Sequence, residues 1–318
     1  MLQVIMNRLV IPSHDINMKI KGHIAILMAN VIFGLGVPVT KALLDDWVTP
    51  MGYMASRCVG ATILFWVVAC FLPKEHVERR DLITIMLGGL LGFVISQTLT
   101  AEALKYTTPV YFSLVAAMTP ISVMILAAIF LKESVTTVKM LGVLLGIGGA
   151  LLMLYTSWNS GTGSDDLLGI SLAVLSVLTW AVYLIITRKV SAKYSSVTQM
   201  KYVFLISMLV TVPIALFTEP EQKLYSSAWQ WSGVLEMAFI VLFATGLGYF
   251  LIPYAMKFLR ATTVSIYTNI QPVVASLVAI AVGQDIFTWD KPLAAVMVLL
   301  GAYIVTMPEK NNKAKDAA

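Results

Sequence analysis

Charge is scarce in this chain. Only 12% of its 318 residues are charged, against 58% hydrophobic, where soluble domains carry about 25% charged residues. A water-soluble globule of this composition would lack the polar surface to cover its apolar bulk, so lipid is its natural solvent. The two cysteines, Cys58 and Cys70, fall in one apolar run, which argues against a disulfide framework. Every aspartate lies in a break or near the end of an apolar run, and of the three histidines only His23 touches one. An intramembrane aspartyl protease would lack its carboxylate pair, and a serine–histidine hydrolase its buried base. HExxH is absent, and so is the GxxxxGKS or GxxxxGKT loop of a nucleotide-driven pump. No ring of charges marks a channel. The chain is therefore expected to be no enzyme, with no catalytic residue, no metal site and no cofactor.

Apolar stretches dominate what is there. A spanning helix needs about 20 apolar residues. Runs of that kind occur at 22–44, 50–72, 82–104, 107–131, 135–156, 167–188, 197–217, 231–258, 262–283 and 289–307. The breaks between them carry turn and charge signals, such as Asp45-Asp46, Lys74-Glu75-His76 and Ser160 to Gly163 followed by Asp165-Asp166. The expected fold is an all-α polytopic membrane protein of ten transmembrane helices. With the N-terminus inside, 17 of the 22 basic residues fall on the inner side. That bias points to both termini inside and an even number of spans, and the expected location is a bacterial-type inner membrane. The net charge of +5 thus reads as orientation in a bilayer, with no nucleic-acid partner. Residues 1–17 contain no clean apolar core of a signal peptide, and Met18, ahead of Lys19 and Lys21, is a second candidate start.

A shift of 152 residues aligns 103–153 with 255–305 without a gap. Ala103, Lys105, Ser113, Pro120, Thr136, Lys139 and Gly149 meet identical residues at Ala255, Lys257, Ser265, Pro272, Thr288, Lys291 and Gly301. At a shift of 147, Phe33 meets Trp180. Two halves of five spans each must lie in opposite orientations, and inverted repeats recur in secondary transporters with a site at the repeat interface. The expected division is a cytoplasmic segment 1–21, a first repeat 22–156, an outer linker 157–166, a second repeat 167–307 and a cytoplasmic tail 308–318.

The stretch Ala103-Leu104-Lys105-Tyr106-Thr107-Thr108-Pro109, then Thr119-Pro120, Lys132-Glu133 and the glycine-rich 141–149, resembles the drug/metabolite transporter superfamily in its ten-helix EamA branch. Gly246-Leu247-Gly248-Tyr249, Ala255-Met256-Lys257, Gln271-Pro272 and Gly301 are similar to the same pattern. Gly283-Gln284-Asp285 and Glu102 depart from it. The resemblance covers about 22–307 and implies a small-metabolite transporter, with amino acids or related compounds as the leading cargo for export. Nucleotide precursors, sugars, vitamins or drugs are the alternatives. It also implies a central cavity lined by helices 1, 3, 4, 6, 8 and 9. The partners it implies are a small-molecule substrate and the lipid bilayer, and a monomer is the default oligomeric expectation.

Within those helices the deep polar and aromatic residues are Asn30, Phe33, Gln97, Tyr111, Ser113, Trp180, Tyr183, Tyr249, Tyr267, Asn269 and Gln271. An amide in hydrocarbon needs a partner or a wet cavity, so each amide here is either helix–helix glue or cavity lining. Glu102 and Glu236, near outer helix ends, are candidates for proton or charge coupling or are boundary carboxylates. Pro120 and Pro272 are candidate hinges or static kinks. Arg57, about two turns from the outer end of its span, is either a functional intramembrane charge or a structural one that snorkels outward, and the structural reading is the preferred one.

Overall fold

The computed structural model describes residues 13–131, 136–159, 163–218, 221–226, 231–259, 261–284 and 289–306. Lys132-Glu133, Asp285, the middle of the expected linker and the 308–318 tail lie outside the described residues. Every regular element among the described residues is helical.

The helices are α1 (Ser13–Asp46), α2 (Pro50–Cys70), α3 (Arg79–Gly89), α4 (Ser96–Tyr106), α5 (Pro109–Ala116), α6 (Thr119–Leu131) and α7 (Thr137–Asn159). They are followed by α8 (Gly163–Lys193), α9 (Ser196–Thr218), α10 (Trp231–Phe239), α11 (Tyr249–Met256), α12 (Ala261–Ile266), α13 (Ile270–Ala281) and α14 (Asp290–Thr306). A π-helical segment, Leu90–Ile95, joins α3 to α4, and another, Ile240–Gly248, joins α10 to α11. Among the described residues eight candidate membrane spans result: Ile20–Asp46, Pro50–Cys70, Arg79–Tyr106, Tyr111–Phe130, Leu167–Lys193, Ser196–Thr218, Trp231–Met256 and Thr263–Ala281. Helices α7 and α14 occupy the other two apolar runs of the sequence.

Local chemistry sets these boundaries. Thr49 caps α2 by accepting a hydrogen bond from Gly52 N at 3.2 Å, and Pro50 fills the first turn, where its missing N–H costs nothing. Thr108 and Pro109 repeat the arrangement at α5, with Tyr111 N donating to Thr108 Oγ1 at 3.3 Å. Gly283, at φ 76°, ends α13; Gln284 N reaches back to Ala279 O at 2.9 Å, a closure that only a left-handed residue permits. The Gln284 side chain then donates from Nε2 to Pro38 O at 2.9 Å, so this departure from the resembled pattern joins α13 to α1. Pro120 and Pro272 each stand in the first turn after a break rather than in mid-helix. Ala117 and Met118 separate α5 from α6, and the 3-10 turn Tyr267–Asn269 separates α12 from α13.

Helix packing has an internal regularity. Helix α2 packs on α9, and α7 on α14. Helix α8 packs on α4 and α6, as α1 does on α11 and α13. Helix α5 meets α13 as α12 meets α6, and α2 meets α4 as α9 meets α11. For these pairings, replacing each helix by the one seven places away returns the same set, whereas the contacts of α3 with α9 and of α5 and α7 with α8 have no counterpart of comparable extent. The segment Leu90–Ile95, moved by 152 residues, also falls within Ile240–Gly248.

At α7–α14 the approach is backbone to backbone. A Cβ on Gly142 would stand 2.8 Å from Gly301 O, and one on Gly301 2.6 Å from Gly142 O. Small residues allow such contact between apolar helices. Elsewhere the outward faces keep large apolar side chains exposed, among them Ile63, Phe130, Leu216, Phe217 and Leu277. A belt of this kind has no stable place in water and matches the hydrocarbon of a bilayer.

Candidate functional site

Between the two sets of helices lies a half-open cleft, lined by residues of both. Its apolar wall includes Ile26, Phe33, Val37, Phe112, Trp180, Leu184, Tyr249 and Ile252. The aromatic part is interlocked: Phe33 and Tyr249 meet edge to face at 5.3 Å between centroids, and Trp180 and Tyr249 at 5.8 Å. Such pairs add about 0.5–1.5 kcal/mol beyond area burial and hold the wall in one arrangement.

Neutral polar groups enter this wall in satisfied sets. Asn30 Nδ2 donates to Ile26 O at 2.8 Å, and Gln271 Nε2 donates to Asn30 Oδ1 at 2.7 Å, bridging α1 and α13. Ser96, Thr100 and Ser176 form a hydroxyl cluster between α4 and α8, with Ser176 Oγ 2.8 Å from Thr100 Oγ1. Thr40 and Tyr53 share a hydrogen bond of 2.7 Å between α1 and α2. These bonds satisfy what hydrocarbon would leave unmade, and they leave further donor and acceptor capacity toward the cleft.

One cation faces the same space. Arg57 stands seven residues, about 10 Å, inside the start of α2 and is only 4% exposed. This corrects the expectation that it snorkels outward. Because α2 packs on α9, α4 and the segment Ile240–Gly248, its Arg57 face turns inward rather than to the membrane edge. Nε donates to Thr245 Oγ1 at 2.9 Å and Nη1 to Gln97 Oε1 at 3.3 Å. The guanidinium carbon lies 5.0 Å from the ring centroids of both Tyr53 and Phe93, and 5.9 Å from that of Tyr249. Aromatic faces at that range stabilise a cation electrostatically. Among the described residues no carboxylate forms an ion pair with it, and no carboxylate lines the cleft.

Of the eleven candidate cavity residues, six line the cleft: Asn30, Phe33, Gln97, Trp180, Tyr249 and Gln271. The other five do not. Tyr111 and Ser113 are buried on either side of the lining residue Phe112, each turned about 100° from it around α5. Tyr183 packs behind Trp180, with ring centroids 4.8 Å apart, and fills the hollow over Gly88 and Gly92. Tyr267 hydrogen-bonds its hydroxyl to His23 Nδ1 at 2.8 Å. Asn269 sits at the break before α13, where the change of helix type hands the lining positions to Thr268 and Gln271. Glu102 and Glu236 lie outside the lining; Glu236 Oε2 is buried without a hydrogen-bond partner. The pattern missed Arg57, Tyr53 and Thr40 on the first two helices. Tyr53, four residues before Arg57 on the same helix face, was the available signal.

Away from the cleft, opposite loops are tied together. Lys193 Nζ lies 2.8 Å from both Glu78 Oε1 and Asp81 Oδ2. Glu75 accepts from Ser195 N at 3.0 Å and Ser195 Oγ at 2.9 Å. Partial burial alone would push the Glu75 carboxyl up, but the hydrogen bonds from Ser195 and Thr198 and the nearby Lys257 together hold it below the usual carboxylate range. The loops after α1 and α9 meet through Thr49 N donating to Gln222 Oε1 at 2.8 Å and Leu224 N donating to Trp47 O at 3.0 Å.

A multi-pass helical membrane protein with a largely apolar cleft, set with neutral polar groups and one arginine between two sets of helices, is the architecture of a membrane transporter. The model of the EamA-like transporter family matches residues 20–155 and again 167–307, and the chain belongs to that family, within the drug/metabolite transporter superfamily. It is 27% identical to the uncharacterized transporter YyaM of Bacillus subtilis, over 85% of this chain and 90% of that protein. It is 23% identical to a WAT1-related protein of Arabidopsis thaliana, over 91% of this chain and 85% of that protein. An uncharacterized transporter of Archaeoglobus fulgidus is 24% identical over 81% of this chain and 89% of its own length. A protein of known crystal structure superposes with a TM-score of 0.65, covering 92% of this chain and 98% of that one at 18% identity; that likeness concerns the fold alone.

Proposed function

We propose that the chain is a secondary transporter of ten spans, built as two inverted five-helix repeats that carry a small metabolite by alternating access. The observation that carries this reading is the group of matched pairings, α8 on α4 and α6 as α1 on α11 and α13, and α5 on α13 as α12 on α6, around a shared cleft. Two near-equivalent halves can swap conformations, which exchanges the accessible face without a separate engine. The paired breaks before Pro120 and Pro272 and the paired π segments give each half the same flexible points. With α7 and α14 counted as spans, each half has five, and an odd number requires opposite orientation.

Amino acids or related compounds, moved outward across a bacterial-type inner membrane, are the proposed cargo, with both termini cytoplasmic. The cleft's mix of aromatic wall and neutral hydrogen-bonding groups favours a small amphipathic solute over a sugar, which would need more polar lining. No carboxylate in the lining offers a proton-carrying site, which favours facilitated movement over coupling through Glu102 or Glu236. The test is flux of a labelled amino-acid and metabolite panel in proteoliposomes. Wild type should move at least one member, and Trp180→Ala and Gln97→Ala should slow it at unchanged protein yield. Flux unaffected by either substitution would move the transport path away from this cleft.

A further inference from the structure

The cleft holds a cation with which no carboxylate among the described residues pairs, and we propose that this cation is the recognition group for a carboxylate on the transported metabolite. The inference rests on the transport reading above and narrows it to organic acids, amino acids included through their carboxylate end.

Three observations converge on Arg57. The first is burial without an anion. A guanidinium at this depth in hydrocarbon is expensive, and such residues ordinarily face a partner or a wet cavity. Here it faces the cleft, and no carboxylate among the described residues pairs with it. The second is fixed aim. Thr245 holds Nε, Gln97 holds Nη1, and the rings of Tyr53 and Phe93 flank the guanidinium carbon at 5.0 Å. A side chain kept only for bulk would need none of these. A guanidinium has five N–H donors, so at least two are left for a guest. Its planar fork matches the two oxygens of a carboxylate.

The third observation is the composition of the remaining wall. It supplies aromatic surface from Phe33, Trp180 and Tyr249, and neutral amides and hydroxyls, but no anionic group. A carboxylate next to an apolar body fits that distribution. A cationic guest meets a like charge and no counter-charge. The ammonium of an amino acid finds neutral acceptors only, so the site asks for the carboxylate and tolerates the amine.

The test uses three probes of nearly equal shape and different charge: phenylacetate, phenylacetamide and 2-phenylethylamine. Each is titrated calorimetrically into the purified full chain in micelles at neutral pH. Phenylacetate should bind about tenfold or more tighter than the amide, the range of one charge-assisted hydrogen-bonded contact, and the amine should bind weakest. Arg57→Gln should abolish the acid's advantage while leaving the amide's affinity within about threefold, and Arg57→Lys should restore part of it. The wild-type comparison needs no variant, so a variant that fails to fold leaves the test intact. Amide and acid binding equally, the amine binding tightest, or no detectable phenylacetate binding would each overturn the assignment. Charge-dependent binding without any flux in proteoliposomes would sink transport and leave the carboxylate site standing. Flux insensitive to the substrate's carboxylate would do the reverse.

Discussion

Gly248 gives a direct test of how tightly the cleft wall is built. A Cβ placed there would lie 2.7 Å from Phe33 Cε1, 3.0 Å from Cζ and 3.4 Å from Cδ1. Carbon atoms prefer about 3.5–4.0 Å, so in Gly248→Ala the ring must retreat by about 1 Å. Retreat is resisted because Phe33 is already edge-on to Tyr249 at 5.3 Å, and Tyr249 in turn abuts Phe93 at 5.0 Å and Phe204 at 5.9 Å. Overpacking a wall that cannot relax costs about 1–3 kcal/mol. Gly248→Ala should therefore lower the thermal unfolding midpoint in detergent. In the cross with Phe33→Leu, which removes the atoms in conflict, the combined loss should be smaller than the sum, with a coupling of about 0.5–3 kcal/mol. A Gly248→Ala midpoint equal to wild type, or strictly additive losses, would refute the packing described.

Gly301→Leu should destabilise more than Gly248→Ala, because the atoms it meets on α7 are backbone and cannot step aside; equal midpoints for the two variants would contradict the close crossing. Glu75 has a lowered pKa in the folded chain, so the stability it contributes is complete above its unfolded pKa and is lost as pH falls through the folded one. Glu75→Gln should flatten the acid limb of a stability–pH profile below about pH 5, and an unchanged limb would remove the Ser195 contact from the account. Glu102→Gln, measured as flux with and without an imposed pH gradient, should change neither rate; gradient-driven flux that disappears in this variant would restore Glu102 as a proton carrier.

Eight of the ten expected spans were legible because hydrophobic run length is a one-dimensional property, and the cap residues Thr49-Pro50 and Thr108-Pro109 announce their boundaries locally. The interior face was legible only in part. On α8 the 3.6-residue period runs Ser176, Val177, Trp180 and Leu184 along the cleft, and picking the polar or aromatic member found Trp180. The same rule failed at Tyr111 and Ser113, because polarity says nothing of which side of Phe112 faces inward. Beyond a helix break it failed again: Asn269 and Thr268 exchange roles through a 3-10 turn that no residue pattern specifies. The π segments carry no proline signal; each contains a glycine against which a neighbouring side chain packs, Tyr183 at Gly92 and Leu64 at Gly246. Arg57 was misread because its side chain is long enough to reach the interface from its depth, and only the packing of α2 decides which way it turns.

Orientation of the two halves is the central claim, and a pair of topology reporters tests it most directly. One is fused after Lys315 and the other inserted beside Gly163, between the two segments matched by the family model. Two inverted five-span halves place these sites on opposite faces of the membrane, with Lys315 in the cytoplasm. Both reporters on one face would mean an even number of spans between them, and the inverted repeat would fall along with the alternating-access mechanism built on it.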